Sequence, residues 1–400
     1  MKLCYSFLLL FVLLPFRLDS QDWIITHYEN KENATREKYQ VIINGMDTVR
    51  EGSYIIYHPN GSIWQKGEFL NDKLDGTWLD YYPEGTLKQH LPYDNGKLNG
   101  TLKYYYPDGS LYQEAEYSND VLHGITHIYH TNGNLNESIS YKNGQICGSV
   151  KAWFEDGKLR YVKNYLKGSE HGPQEIYYEN GKIRERSEKE NGHYTNHFIS
   201  YYKEYENGAP QKECFYKNSM LNGKLTGYYP DGSISLECFY TNDTLNGSYV
   251  KYFKGGEPKK KGAIMEKGEY HKGKKSGIWE SYYPDGSVYT KGKYKNNTFQ
   301  GEWLIYHQNG NVKQKGDYQN GKAEGIFTVY YGSGAIKNIG QYKNDLKQGE
   351  WITYYETGEK MSIIRYCEGK RDGLAEAFNK EGISVEKKHY EKGIEKTENF

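Results

Sequence analysis

The sequence is short of aliphatic bulk. Hydrophobic residues fill 36% of its 400 positions and the mean hydropathy is −0.93. That excludes a thick aliphatic core, while 16% aromatic residues are too many for a disordered chain. An excess of either charge is also missing, with 52 basic residues against 52 acidic ones. A duplex binder needs cations to neutralise phosphates, so the composition argues against a nucleic-acid partner. Only one apolar run exists, Tyr5 to Phe16, preceded by Lys2 and followed by Arg17-Leu-Asp-Ser20. This is the order of a secretory leader, and the run is too short to span a bilayer comfortably. Residues 1–20 are therefore expected to be a signal peptide cleaved near Ser20–Gln21. The remainder is then exported to a periplasm, cell surface or medium, the alternative being an uncleaved N-terminal anchor. Cys4 lies ahead of the apolar run, where it cannot be a lipoprotein's lipid-acceptor cysteine.

What the chain has in quantity is glycine (45) and tyrosine (43), and both are periodic. Glycines recur every 24 residues at Gly52, Gly76, Gly100, Gly124, Gly148 and Gly172, then at Gly223 and Gly247, then from Gly277 through Gly301, Gly325, Gly349 and Gly373. An irregular unit near 197–222 and an insertion near 254–275 interrupt the series. With the leading glycine as position one, position six is aromatic (Tyr81, Tyr105, Trp153, Tyr282, Tyr354) and position ten is glycine, usually after Asn or Asp. Position eighteen is aromatic again, and a second turn follows, as in Asn95-Gly96 and Asn320-Gly321.

Asn-Gly and Asp-Gly supply the positive φ angles of tight hairpin turns, and the flanking aromatic runs favour strands. Each unit therefore reads as one β-hairpin. Aromatics occupy both faces of the strands, so a hairpin buries them only against its neighbours. The expected fold is all-β: an elongated, solenoid-like meander of about fourteen antiparallel hairpins over residues 52–400, with residues 21–51 as an N-terminal cap.

The string Gly-x-Trp-x-x-Tyr-Tyr-x-x-Gly-x-Leu…Tyr-x-x-Gly, clearest at 76–99, 277–300 and 349–372, resembles the MORN repeat variant family. It is similar above all to the bacterial tandem form catalogued as YwqK-type antitoxins. The resemblance implies an antiparallel hairpin array used for protein scaffolding or association with membrane lipids.

No nucleophile elbow, phosphate loop or metalloprotease motif occurs, and the reading is of a protein that is not an enzyme and carries no cofactor or metal. His58, His130 and His307 stand where other units have tyrosine or phenylalanine, and His123-x-x-x-His127 falls in turn and strand. Cys214 and Cys238 are one repeat apart. Equivalent strands of a meander are ~9.6 Å apart, beyond disulfide reach, so no bridge is expected. Two candidate binding surfaces remain. Tyr82, Tyr106, Tyr283, Tyr331 and Tyr355 at position seven offer a rigid amphipathic face for a protein partner. Lys259, Lys260, Lys261, Lys267, Lys272, Lys274 and Lys275 give the insertion a local positive excess suited to an anionic lipid or envelope glycan.

Overall fold

The computed structural model describes residues 21–29, 34–44, 46–204, 208–255 and 257–396; the expected leader lies outside the described residues. The chain divides into two compact units, the first ending at Ser169 and the second beginning at Glu170. Among the described residues the two units are all-β, with 32 antiparallel strands and no helix.

The repeat that starts at Gly277 shows why the sequence folds this way. Strand Lys274–Tyr282 pairs with Val288–Lys295, which pairs in turn with Thr298–Tyr306. The connection between the first two is a three-residue loop: Gly286 N–H donates to the Tyr283 carbonyl (2.9 Å) and Tyr283 N–H to the Ser287 carbonyl (2.8 Å). Pro284 occupies the second corner of this type I turn, where its fixed φ is already correct. Gly286 then takes φ 88°. Asp285 contributes through its side chain, accepting bonds from Ser287 N–H (2.9 Å) and Oγ–H (2.6 Å).

The two turns of a repeat are chemically different, which corrects the expectation that both residues of the first Asn/Asp-Gly pair have positive φ. At the first turn only the glycine does. The two-residue turn with both angles positive is the second one, Asn296 (53°) and Asn297 (70°). That turn also ties repeats together. Asn297 N–H donates to the Lys275 carbonyl (3.0 Å) and its Oδ1 accepts from Lys275 N–H (2.6 Å). Asp72 with Arg50, and Asp345 with Ala323, repeat the exchange.

Burial comes from a joint between consecutive repeats. The aromatic at position three lies over the residue at position sixteen of the repeat before it. A Cβ built on Gly67, Gly268, Gly292, Gly316 or Gly340 would sit 2.1–2.3 Å from a ring atom of Trp78, Trp279, Trp303, Phe327 or Trp351 respectively. Position sixteen is glycine there because the ring occupies the Cβ volume. Where position three is smaller, position sixteen carries a side chain, as in Thr126 opposite Ala115 and Val150 opposite Ile139. Rings at position eighteen then pack edge-on against the indole, with Tyr270 5.3 Å from Trp279 at 90°.

The irregular unit is a repeat in disguise. Asn196, with φ 51°, takes the place of the leading glycine, since asparagine tolerates the left-handed region. The extra length falls between His193–Tyr201 and Pro210–Lys217. Cys214 and Cys238 both pair with Leu225 on the strand between them, so their own strands are not neighbours. Both thiols are free and buried.

Candidate binding surface

Strand alternation gives each repeat two faces. The ring face holds positions three, five, seven, sixteen and eighteen; the opposite, charged face holds positions two, four, six, fifteen and seventeen.

The position-seven tyrosines lie half-buried on the ring face and act as staples. Each hydroxyl donates to a carbonyl 23 residues on: Tyr82 to Tyr105 (2.9 Å), Tyr106 to Tyr129 (3.1 Å), Tyr283 to Tyr306 (3.0 Å), Tyr331 to Tyr354 (2.9 Å) and Tyr355 to Phe378 (3.0 Å). His58, His130 and His307 keep the same contact through Nε2, at 3.2–3.3 Å. These rings join one repeat to the next, with their polar ends already engaged. His123 and His127 lie on the strand Val121–Tyr129.

The seven lysines do not converge. Lys259, Lys260 and Lys261 belong to an insert that folds back over the turn of the preceding repeat. Lys259 N–H donates to the Gly232 carbonyl (2.7 Å), Ile234 N–H donates to the Lys260 carbonyl (3.0 Å), and Ser233 beneath them is fully buried. Lys260 pairs with Glu257, and Lys261 with Glu237 (2.7 Å). Lys272 and Lys274 lie at the second turn, beyond Ile264–His271. That eight-residue strand separates the two groups by about 25 Å. Lys275 turns to the ring face, with Nζ 3.7 Å from the Trp279 ring centroid. Lys267 is on the charged face, 3.0 Å from Glu280.

The charged face of the second unit holds groups that sequence reading missed. Register places Lys267 opposite Glu280 and Glu280 opposite Lys291, and the carboxylate pairs with both ammoniums (3.0 and 2.9 Å). The Tyr282 hydroxyl adds a bond at 2.6 Å. That hydroxyl, working against burial and together with Lys291 and Lys267, holds the Glu280 carboxyl down at about 2. Glu237 is alike: burial alone would raise it, but Lys224, Lys261 and Tyr252 bring it down to about 2. On the same face apolar side chains stand in solvent: Phe215, Phe239, Ile278, Ile326 and Leu374. Ile326 is 62% exposed and borders a cavity of about 250 Å³ lined also by Ile339 and Ile352. The signal was readable, because position two alternates away from the buried position three and should be polar if it faced only water.

Comparison with known proteins places the repeat. The MORN repeat variant pattern matches residues 50–71, 74–95, 98–119, 122–143, 170–188, 221–242, 275–296, 299–320, 323–344 and 347–368. A search of curated proteins finds no match. Among solved structures, the TcdB2–TccC3 crystal structure is 10% identical, with 88% of this chain and 20% of that chain covered and a TM-score of 0.18. The Photorhabdus luminescens Tc holotoxin pore is 13% identical, covering 88% and 19%, with a TM-score of 0.17. This chain thus spans about one fifth of those chains, and at these scores the overlap says nothing of function. The ten matched segments cover more than half of the residues and coincide with the hairpins, so the chain belongs to the MORN repeat variant family.

Proposed function

We propose that this is an exported, non-enzymatic scaffold that docks a protein partner on the charged face of its second unit. The observation that carries the reading is the apolar groove where the exposed Ile326 meets Ile339 and Ile352, between the pairs Lys315–Glu302 and Arg365–Glu350, with Phe239, Ile278 and Leu374 exposed along the same face. An apolar centre bounded by ordered polar groups is the composition of protein interfaces. The ion pairs supply a polar rim of both signs round it. Export rests on the leader-like run Tyr5 to Phe16. An anionic-lipid role for the insert is less favoured, because its lysines point to different edges and faces and several are already paired.

The test is affinity capture from envelope and culture supernatant with residues 21–400 as bait, at two salt concentrations. Wild type is run beside an Ile278→Glu/Ile326→Glu variant of unchanged circular dichroism. A protein held by wild type at both salts and lost by the variant supports the reading. Equal capture by the two baits, or recovery of lipid alone, refutes it.

A further inference from the structure

The ring face of the first unit has a cavity of about 600 Å³ at the first-turn end of the N-terminal repeats. The apolar part of its lining is Ile56, Pro59 and the indole of Trp64. Trp64 differs from the tryptophans of the repeat joints. It stands at position thirteen, outside the joint, and is 48% exposed where Trp78 is 2% and Trp279 is 4%. One face of its indole stacks on the His58 imidazole, with centroids 5.6 Å apart and planes 20° from parallel. His58 is itself held, its Nε2 3.3 Å from the Tyr81 carbonyl oxygen. The indole is therefore a rigid plate backed on one side, with its other face turned towards the cavity.

The rim is polar and mixed in sign. His27, Glu29 and Arg36 line it, and among the described residues none of the three is engaged in an ion pair. Tyr28 completes the wall, its hydroxyl spent on the Tyr57 carbonyl at 2.5 Å. One carboxylate, one guanidinium and one imidazole give acceptors and donors side by side with no strong net charge, which selects against a phosphate or an ammonium ligand. A ligand suited to this site has a flat C–H face for the indole and a fringe of hydroxyls for the rim. A concave, partly apolar site with a few convergent polar groups is the usual form of a small-molecule pocket.

We propose that this cavity binds a neutral pyranose sugar, one ring packing its C–H face on Trp64 while Glu29 accepts from, and Arg36 donates to, adjacent hydroxyls. The site is distinct from the protein-docking face of the second unit and does not depend on it. Trp23, 43% exposed but covered by Lys38 (Nζ 4.2 Å from the ring centroid), is not part of it.

The experiment is isothermal titration and saturation-transfer NMR of residues 21–400 against four probes: cellobiose, maltose, lactose and N,N′-diacetylchitobiose. Saturable binding of at least one is expected. Trp64→Ala should weaken it by about tenfold or more, the scale of a lost stacked aromatic. Trp64→Tyr, which keeps a plate, should bind between the two, and Trp23→Ala should bind as wild type. If Trp64→Ala does not fold, Arg36→Gln and Glu29→Gln, both on the open rim, decide by the same loss. Absence of binding to all four sugars overturns the proposal. So does unchanged affinity in Trp64→Ala, or an equal loss in Trp23→Ala.

Discussion

Gly268→Ala inserts one methyl group where the joint between two repeats leaves no room for it. The new Cβ would lie 2.3 Å from two indole carbons of Trp279 and 2.6 Å from a third. The indole has nowhere to go. It is 4% exposed, its Nε1–H is bonded to the Glu269 carbonyl at 3.2 Å, and Tyr249, Tyr270 and Lys275 close round it. Overpacking of a well-filled site costs about 1–3 kcal/mol, and a clamped ring puts this case at about 3 kcal/mol. Trp279→Thr alone removes the ring and leaves a cavity, a loss of about 3–5 kcal/mol. The double variant recreates the pairing that Ala115 and Thr126 already make in the first unit. Its cost should therefore fall short of the sum of the singles by about 1–3 kcal/mol. Guanidinium unfolding followed by circular dichroism measures the cycle. Because repeat arrays unfold in parts, amide exchange across Gly277–Tyr282 should accompany it. A Gly268→Ala protein as stable as wild type, or a strictly additive cycle, would show that glycine at position sixteen is not there to seat the ring.

Tyr331→Phe removes the staple to Tyr354 and should cost about 1 kcal/mol, with faster amide exchange confined to the repeats on either side of the joint. Lys272→Asn should stabilise by about 0.5–1 kcal/mol, because Lys272 holds φ 48° in a turn where other repeats use asparagine; an unchanged denaturation midpoint would contradict the turn assignment. Glu237 and Glu280 are held at about 2, with side chains 13% and 16% exposed. As the folded value lies below the unfolded one, their contribution is complete above pH about 4.5 and drains away as the pH falls towards 2. Each is worth at most about 3 kcal/mol, so the midpoint measured between pH 5 and 2.5 should drop less steeply in Glu280→Gln than in wild type.

The strands, the repeat length and the positions of the turns were legible because each rests on local chemistry. Glycine at position ten and Asn or Asp beside it mark a reversal wherever they fall, and aromatics on both sides favour strands. Three features were harder to read, each for a physical reason. Asn196 hid a repeat boundary, since a search for glycine passes over asparagine, which also adopts its φ readily. The pairing of glycine at position sixteen with a ring at position three of the next repeat is a contact between units, invisible when each unit is read by itself. The lysines looked like one patch because they are close in sequence. An extended strand carries neighbours in sequence to opposite edges of a sheet, and alternation turns Lys267 and Lys275 to opposite faces. The tyrosines of position seven were recognised as a row, but only the structure shows that their hydroxyls are already bonded to the following repeat.

The central functional claim concerns which face meets the partner, and side-chain footprinting reads faces directly because neighbours on a strand point opposite ways. Hydroxyl-radical oxidation of residues 21–400, alone and with the captured partner, should be followed at Phe239, Ile278, Ile326 and Leu374 and, on the other face, at Tyr289, which the bulge beside the first turn brings to within 5.0 Å of the Tyr283 ring. Protection of the first four with Tyr289 unchanged is the predicted result. Protection of Tyr289 while Ile278 and Ile326 stay reactive would place the partner on the ring face and contradict the account.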